Sequence, residues 1–452
     1  TLNGQSTTKT YAELLTTNLV KDVTCKNGSI AEWNYEKNGV FLSNIKTPDY
    51  CTIDFGDGYA VTLTANTGTV NPSNVSVGYN GSAKFTVTPN DGFRAVLETN
   101  SCGGILSGNT YTISNITSNK TCSISFTPAS TLLLYEKILA DNPTRNTRTT
   151  FTAFTENTTG TLFTATESIA GGTPKEVYYY AGNTTNNWVK FANLYWRIIR
   201  TNHDGSIRML YSGTSPDTTT GYIGESKFNT TYNDPMYVGY MYGTTGSLEN
   251  NRLNTNNSTI KAYIDNWYNN NLSSYSKYIS TEAVYCNDRE VKYGYSPGAN
   301  IFYAPSRRLG SYMTPTYNCT NIKDAFSGNN SEAKLTYPIG LMTADEITYA
   351  GGYQSKDLPS PYAWYYLNSV GGSITGSNAW WSLSPFEWHA RTPSLTVLQV
   401  YGSNEPGRLS DFGYVHNSKG VRPAISLKSC TIWTSGNGAP DTPYEISTTS
   451  GC

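Results

Sequence analysis

The chain has 452 residues, which is long enough for more than one hydrophobic core and predicts several domains. Charged residues make up only 14% of it and the formal net charge is -1, so it lacks the basic surface that holds a phosphate backbone, and we expect no nucleic-acid partner. The 36 tyrosines and 40 glycines indicate a polar, β-rich protein. Such a composition suits an exposed recognition surface, and it equally suits a secreted β protein without a binding role.

The eight cysteines lie in four local pairs along the chain: Cys25 with Cys51, Cys102 with Cys122, Cys286 with Cys319, and Cys430 with Cys452. An even number without a Cys-x-x-Cys motif favours disulfides over metal binding, and we expect nearest-neighbour pairing, although other connectivities are open. Disulfides predict an oxidising, extracellular location. The sequence shows no signal peptide, membrane span or sorting signal, so we expect any membrane or cell-wall anchor to lie outside these residues.

An internal repeat marks the N-terminal region. Residues 42–55 and 113–126 align without a gap, and each predicts a strand, a polar turn and a second strand. Alternation places one set of side chains on a buried face in each second strand: Cys51, Ile53 and Phe55 in the first copy, and Cys122, Ile124 and Phe126 in the second. A disulfide would then staple each small core.

The second copy belongs to a longer module with strands expected at residues 61–65 and 84–88. Residues 61–93 resemble the bacterial extracellular β repeats, of immunoglobulin-like type, that act as stalks in surface proteins. We therefore predict a small β module over residues 1–57 and a stalk module over residues 58–129, followed by a third domain over residues 130–452.

The sequence of the third domain predicts an α+β fold. Its expected elements are a helix at 132–140, loop at 144–175, a strand at 177–181 and a hairpin at 194–211. Residues 258–275 are the clearest helix, because a core stripe recurs at helical spacing: Ile260, Ile264, Trp267, Tyr268 and Leu272. Another helix is predicted from the capping box of Thr343 and Glu346 to a C-terminal Gly351.

The end of this domain has an ordered frame. A Trp-rich strand begins at Trp380, a strand is expected at 395–401, and Gly420-Val421-Arg422-Pro423 opens a closing strand that ends at residue 427. This frame resembles the C-type-lectin-like fold, in the branch shared by formylglycine-generating enzymes and the variable proteins of diversity-generating retroelements. The resemblance covers about residues 176–430. The expected fold is thus two disulfide-stapled, sandwich-like all-β modules followed by an α+β C-type-lectin-like domain.

Between the frame strands, residues 386–393 and 404–412 follow no periodicity and mix aromatic, charged and small side chains. In the variable proteins the corresponding stretch is the diversified ligand-binding face. The resemblance implies that role for Phe386, Glu387, Trp388, His389, Arg391, Gln399, Tyr401, Asn404, Arg408, Asp411, Tyr414, His416 and Asn417. Two alternatives stay open: Phe386, Trp388 and Tyr414 pack inward, and the two histidines are merely exposed. We interpret Arg422 as structural, bound to loop carbonyls or a carboxylate.

Other site chemistry is not supported by the sequence. Formylglycine-generating enzymes use paired cysteines with copper, and here no cysteine lies within residues 381–422. Glu405-Pro406-Gly407 has Gly where a calcium-binding lectin loop needs a third ligand. The three histidines, at positions 203, 389 and 416, lack metal-ligand spacing. We expect no catalytic residues, no metal and no cofactor.

These observations predict a bacterial cell-surface adhesin or receptor-binding protein. Its partner would be a protein or a glycan on another cell or on a host surface. One alternative is a structural pilus-like or surface-layer subunit with head-to-tail contacts. A second alternative is an enzyme of the formylglycine-generating type.

Overall fold

A computed structural model describes residues 11–13, 19–34, 39–44, 49–56, 58–216, 218, 221–291, 295–354, 356–366, 379–401, 405–410, 413–449 and 452. The chain divides into two compact units, one of residues 1–131 with 448–452 and one of residues 132–447. Most regular structure is strand, with few helices and several sheets, so the chain is a multi-sheet α+β protein. The division into three domains stays a prediction.

The first unit is built from strands. They are β1 (Tyr11–Glu13), β2 (Leu19–Cys25), β3 (Ile30–Asn34), β4 (Gly39–Ser43), β5 (Cys51–Gly56), β6 (Tyr59–Ala65), β7 (Gly68–Asn71), β8 (Asn74–Val77), β9 (Gly81–Pro89), β10 (Phe93–Asn100), β11 (Ile105–Ser107), β12 (Thr110–Ile116) and β13 (Lys120–Pro128). Each copy of the internal repeat forms the two expected strands, β4 and β5 in the first and β12 and β13 in the second, and in each copy the two strands belong to different sheets.

The two copies of the repeat differ in burial. In the second copy Cys122, Ile124 and Phe126 are at most 1% exposed, as predicted. The prediction is wrong for Cys51, which is exposed, while Ile53 is only half-buried and the side chain of Phe55 lies outside the described residues. The physical reason is that β5 pairs with β2 in a two-stranded sheet, whereas β13 belongs to a four-stranded sheet with a core against it.

Strands β6–β13 form two four-stranded sheets, in the orders β10-β13-β6-β8 and β11-β12-β9-β7. Strand β9 alternates strictly between buried and exposed residues over its first eight positions, because one face is turned to the core. Side chains of both sheets share that core, among them Leu63 of β6, Phe85 of β9 and Ile113 of β12. The predicted strands at 61–65 and 84–88 are therefore confirmed.

The second unit combines strands with short helices. They are α1 (Leu134–Asp141), β14 (Thr144–Asn146), β15 (Thr161–Glu167), β16 (Lys175–Tyr179), β17 (Trp188–Phe191), β18 (Leu194–Thr201), β19 (Ile207–Tyr211), β20 (Glu225–Lys227), β21 (Met241–Tyr242), α2 (Leu248–Asn251), β22 (Asn256–Asn257), α3 (Thr259–Asn271), β23 (Tyr285–Cys286), β24 (Ile301–Phe302), α4 (Ala304–Arg307), β25 (Ala325–Phe326), β26 (Gly340–Leu341), α5 (Ala344–Ala350), β27 (Trp380–His389), β28 (Ser394–Val400), β29 (Leu409–Ser410), β30 (Ser418–Gly420), β31 (Pro423–Leu427), β32 (Trp433–Ser435) and β33 (Tyr444–Ile446). Short 3₁₀ segments are Pro235–Val238, Ser273–Tyr278, Ile322–Asp324 and Ser331–Ala333, and Arg308–Tyr312 forms one π turn.

Two sheets organise this unit. A ten-stranded sheet follows the path β14-β15-β16-β18-β17-β33-β32, with β19 and β31 continuing from β18 and β26 pairing with β31. A six-stranded sheet runs β20-β30-β27-β28-β29, and β24 pairs with β27. The predicted hairpin is β18 with β19, and antiparallel pairing of β19 with β31 brings the end of the domain beside its beginning.

The helices with strong sequence signals are confirmed. Ser258 caps α3 by accepting the backbone N–H of Lys261, and the predicted stripe is buried at Ile260, Ile264 and Tyr268. Thr343 and Glu346 form the capping box of α5, and Gly351 closes it with φ 119°, a value that favours glycine. Helix α1 lies within two residues of its expected bounds.

Two predictions about local structure need correction. Residues 144–175 are not all loop, because the Thr-rich segment forms β14 and β15, and β15 pairs with β16 along five residues. The single closing strand is two strands, β30 in the six-stranded sheet and β31 in the ten-stranded sheet. The chain changes sheets at Arg422, which is fully buried and donates hydrogen bonds to the carbonyls of Tyr211, Gly221 and Tyr365. Its structural interpretation is therefore confirmed.

Disulfides close the local loops as expected. Cys25 bonds to Cys51, Cys102 to Cys122, and Cys286 to Cys319. Cys430 and Cys452 are also disulfide-bonded, so no cysteine is free. This set indicates an oxidising environment. Within the described residues, no helix has both the length and the apolar character that a membrane crossing needs.

A buried charge network joins α5 to the large sheet. Glu346 Oε1 lies 2.9 Å from Arg200 Nε of β18 and 2.8 Å from Arg208 Nη1 of β19. Arg200 also contacts Glu167 of β15 at 2.9 Å, and Glu167 lies 3.1 Å from His203 Nδ1. Burial alone would raise the pKa of Glu167, but Arg200 and His203 outweigh it and hold the pKa at about 2.

We expect Glu346→Gln to lower the free energy of unfolding of the second unit by about 3–5 kcal/mol, because two buried guanidinium groups lose their shared carboxylate. Denaturant titration followed by near-UV circular dichroism measures this change. The matched control is Glu445→Gln, whose partner Lys190 forms an exposed pair at 3.7 Å and should matter by less than about 1 kcal/mol. Equal effects of the two variants would contradict the assigned role of the network.

The same network predicts a pH dependence of stability. The hydrogen bond to Glu167 raises the pKa of His203 above its usual 6.5, so the folded state holds this proton more tightly than the unfolded state. The stabilisation is complete below that usual value and is lost as the pH rises through the raised pKa. We expect the wild-type free energy of unfolding to fall over this range and His203→Gln to remove that fall. Parallel slopes for the two proteins in urea titrations at several pH values would exclude this assignment.

Candidate functional site

The predicted contact region is centred on the hairpin of β27 and β28. Residues 386–389, expected to be loop, continue strand β27, so this part of the prediction is wrong. Pairing explains the difference: Glu387 lies opposite Thr396 and His389 opposite Ser394, and β24 pairs with the other edge of β27. The turn of the hairpin is therefore confined to residues 390–393.

One face of this hairpin belongs to the core. Ile301, Trp388 and Leu395 occupy successive strands in register and are at most 3% exposed. The indole N–H of Trp388 donates to the carbonyl of Pro297 at 3.1 Å. Phe386 is 8% exposed. The inward-packing alternative therefore describes Phe386 and Trp388, and these two side chains do not form an exposed contact surface.

The opposite face of the hairpin is open in part. Phe302 lies opposite Glu387, Glu387 opposite Thr396, and Thr396 opposite Tyr414, so these four side chains form one row across the strands. Side chains two residues along each strand share that side. We call this set the front face: Phe302, Glu387, His389, Ser394, Thr396, Tyr414 and His416.

At one edge of the front face an acid, a histidine and an aromatic ring meet. His389 Nε2 lies 2.7 Å from Glu387 Oε1, with side-chain exposures of 35% and 19%. The ring of Phe302, which is 46% exposed, stands edge-on to His389 with centroids 6.3 Å apart. This group can offer hydrogen bonds, charge and apolar area at one place.

At the other edge, two tyrosine rings lie close to the ring of His416. The ring of Tyr232, which is 40% exposed, lies 4.2 Å from the ring of His416, and Tyr414 lies 6.0 Å from it. Tyr414 and His416 are half-buried, whereas Asn417 is exposed. The structure therefore brings Glu387, His389, Tyr414 and His416 together on one side.

Two buried polar atoms of the front face lack hydrogen-bond partners in the part of the chain that the structure describes. They are Oγ1 of Thr396, a residue 3% exposed, and Nδ1 of His416. A buried polar group without a partner costs free energy, and folded proteins contain few of them. A bound ligand is one way in which such atoms obtain partners.

A second group of predicted residues lies at the far end of β28. Arg408 forms an ion pair with Glu405, and its guanidinium carbon lies 5.9 Å from the ring centre of Tyr401. Gln399 is fully buried, and its amide has no partner in the described chain. Because Tyr401 follows Thr396 by five positions at about 3.3 Å each, this group is separated from the front face.

Arg391, Asn404 and Asp411 are the predicted positions that remain. Arg391 is exposed in the hairpin turn, beside the front face. Asn404 and Asp411 lie outside the described residues. Sequence reasoning missed Phe302, Thr396 and Tyr232, because Phe302 and Tyr232 come from distant segments and Thr396 is one position in an ordinary strand pattern. Strand pairing reveals Phe302 and Thr396, and the ring contact with His416 reveals Tyr232.

Two features of the described residues bear on the chemistry of metals and small ligands. Within the described residues, no group of three or more His, Cys, Asp or Glu side chains is placed to hold a metal ion. A cavity lies beneath the charge network, lined by Arg200, Arg208, Arg308, Glu167, Asp288, Asp345 and Glu346, among others. The space that the centres of water-sized molecules can occupy in this cavity is about 20 Å³, which is room for a water molecule.

Comparison of the chain with protein-family models, with curated proteins and with solved structures finds no match.

The unpartnered hydroxyl of Thr396 leads to a stability prediction. We expect Thr396→Val to raise the free energy of unfolding by about 1 kcal/mol, because valine keeps the shape and removes an unsatisfied buried group. Thermal unfolding of the second unit measures the change. The contrasting variant is Thr343→Val, which removes the cap of α5 and should lower stability by about 1 kcal/mol. Destabilisation by Thr396→Val would mean that the hydroxyl has a partner.

Proposed function

We propose that the protein is an extracellular, cell-surface adhesin or receptor-binding protein and that the front face, with Arg391 beside it, is its contact surface. The single observation that carries this proposal is the asymmetry of the β27–β28 hairpin. One side is sealed against the core, and the other combines exposed aromatic rings with buried polar atoms that lack partners. An interaction surface with a polar partner accounts for both features.

The chemistry of the front face fits a macromolecular ligand. Phe302 and Tyr232 supply rigid apolar area, and the Glu387–His389 pair and Arg391 supply charge and hydrogen bonds. Aromatic and arginine side chains dominate the binding energy of many interfaces. The described residues place these groups on a sheet face rather than in a deep cavity, which favours a protein or a glycan on another cell or host surface over a small metabolite.

The scaffold of this proposal is a C-type-lectin-like domain, as in the variable proteins of diversity-generating retroelements. Support comes from the position of the closing strand β31, which pairs with β19 so that the two ends of the domain share a sheet. The disulfides support an oxidising location outside the cytoplasm. The β sandwich of the first unit would serve as a stalk that holds the binding domain away from its anchor.

The test is a binding experiment with matched variants. Phe302→Ser, Arg391→Ala and Tyr414→Ala combined should reduce capture on glycan arrays and on intact bacterial or host cells by about a hundredfold, because several interface anchors are lost together. Circular dichroism and the unfolding midpoint should stay close to wild type, because Arg391 and Phe302 are exposed and Tyr414 is only half-buried.

The control is Leu253→Ser, which removes an apolar side chain of similar exposure, 49% against 46% for Phe302, outside the front face. It should bind as wild type does. If the triple variant and the control bind equally well to the same target, the contact surface lies elsewhere. If neither protein nor glycan targets bind the wild type, the adhesin proposal fails.

A further inference from the structure

The internal repeat of the first unit extends beyond the two aligned segments to whole sets of strands. We call β1–β5 the first set and β6–β13 the second set. The first set has the sheet β1-β4-β3 and the pair β2-β5, and the second set contains the equivalent runs β9-β12-β11 and β10-β13, all antiparallel. A disulfide closes each set at the same place, Cys25–Cys51 and Cys102–Cys122. The first set therefore reproduces the last five strands of the second.

The register of the paired strands is the same in both sets, down to an irregularity. The β2–β5 pair and the β10–β13 pair each contain a register shift at the same step of the aligned sequences. The residue pairs on either side of that shift are Val20–Phe55 and Asp22–Asp54 in the first set, and Leu97–Phe126 and Thr99–Ser125 in the second. Bulges are specific features of a fold, so the two sets share one sheet design.

The first set has no counterpart of β6, β7 and β8 among the residues that the structure describes. In the second set β6 runs parallel to β13, with Leu63 opposite Cys122 and Ala65 opposite Ile124. Strand β5 is the counterpart of β13, and in the described part of the chain it pairs with β2 alone. The edge of β5 that corresponds to the β6 side of β13 is therefore open. We call it the open edge.

The backbone groups of Cys51 and Ile53 are directed to the open edge. The Lys26 backbone N–H donates to the Tyr50 carbonyl at 2.9 Å, so these two residues form a hydrogen-bonded pair at the end of the β2–β5 ladder. Such pairs alternate with non-hydrogen-bonded pairs along an antiparallel ladder. Thr52 therefore bonds to β2, whereas the N–H and C=O groups of Cys51 and Ile53 point away from it.

The equivalent groups of β13 are occupied in the second set. The Thr64 hydroxyl donates to the Cys122 carbonyl at 3.3 Å. The Asn66 backbone N–H, just beyond β6, donates to the Ile124 carbonyl at 2.9 Å. With β6 in place and the core against the sheet, Cys122 and Ile124 are at most 1% exposed.

The burial of β5 differs in the way that a missing strand predicts. Cys51 is exposed and Ile53 is only half-buried, although both align with buried residues of β13. The neighbouring Tyr50 is 63% exposed. A two-stranded sheet is marginally stable by itself, and an unpaired edge is a template for another strand. The first set thus has both a reason to accept a strand and a place for it.

We propose that the open edge of β5 is a docking site for one further strand, an extended polypeptide segment that runs parallel to β5 as β6 runs parallel to β13. Its chemistry is that of β6: a backbone that bonds to Cys51 and Ile53, and apolar side chains at alternate positions, like Val61 and Leu63. The docked strand covers β5 and extends its sheet. This inference is independent of the front face and of the function proposed for it.

A second copy of the chain is a poor donor of this strand. Its own β6 lies between β13 and β8 and is hydrogen-bonded on both edges. Val61 and Leu63 of β6 are fully buried, so release of the strand would expose the core of the second set. The occupant is therefore a segment of β6 character other than the β6 of a second copy.

The test uses the full chain and a synthetic peptide with the sequence of residues 59–67 as the probe. Fluorescence anisotropy of the labelled peptide measures binding, and hydrogen exchange measures the protection of residues 51–56. We expect saturable binding and about tenfold slower exchange, because new backbone hydrogen bonds form. The control peptide carries Val61→Asp and Leu63→Asp. It should bind at least about tenfold more weakly, because docking would bury two carboxylates.

A matched pair of chain variants locates the site. Ile53→Pro removes an N–H from the open edge, a place where strands tolerate proline, while Ile53→Ala trims the same side chain and keeps the N–H. The proline variant should bind the peptide about tenfold more weakly than the alanine variant.

Three results overturn the proposal. The first is no binding of the peptide, or equal binding of the two peptides. The second is equal binding by Ile53→Pro and Ile53→Ala. The third is a wild-type chain that light scattering shows to be a dimer and whose residues 51–56 already exchange slowly, since a second copy would then fill the open edge. Should Ile53→Pro not fold, the two peptides compared on the wild-type chain decide alone.

Discussion

Glu346 is the residue on which the arrangement of the second unit depends. Its Oε2 accepts the Thr343 backbone N–H and completes the cap of α5, while its Oε1 binds Arg200 and Arg208 on two neighbouring strands. One carboxylate thus fixes where the helix begins and where it lies on the sheet. A buried ion pair costs desolvation, and good geometry with several hydrogen bonds offsets that cost. Asp345, the preceding residue, forms an ion pair with Arg308 and so connects the start of α5 to residue 308.

The β27–β28 hairpin shows how one element serves both core and surface. Alternation turns Trp388 and Leu395 toward the core, and the same alternation places Glu387 and Thr396 on the opposite face. The inward side anchors the hairpin through apolar burial and the indole hydrogen bond to Pro297. The outward side then needs no contribution to the core, and it carries aromatic and titratable groups that a sealed sheet would not. Such a division allows residues of the front face to vary without loss of the fold.

Sequence reasoning succeeded where a signal is local. The capping box of α5, the cap of α3 and the β18–β19 hairpin depend on side chains within a few residues of one another, and all are present. It failed where partners are distant. The loop expected at residues 144–175 contains β15 because β16 is available to pair with it. Residues 386–389 are strand because β24 and β28 flank them.

The sequence by itself determined the disulfide-rich, mostly β character of the chain, its local helix signals and the interval in which the candidate surface lies. Only the tertiary structure decided which side chains of that interval are accessible, turning Phe386, Trp388 and Gln399 into the core and adding Phe302 and Tyr232 from elsewhere. The physical reason is register. A strand exposes alternate residues, but which alternate set faces water depends on the neighbouring strands and on the core beneath them.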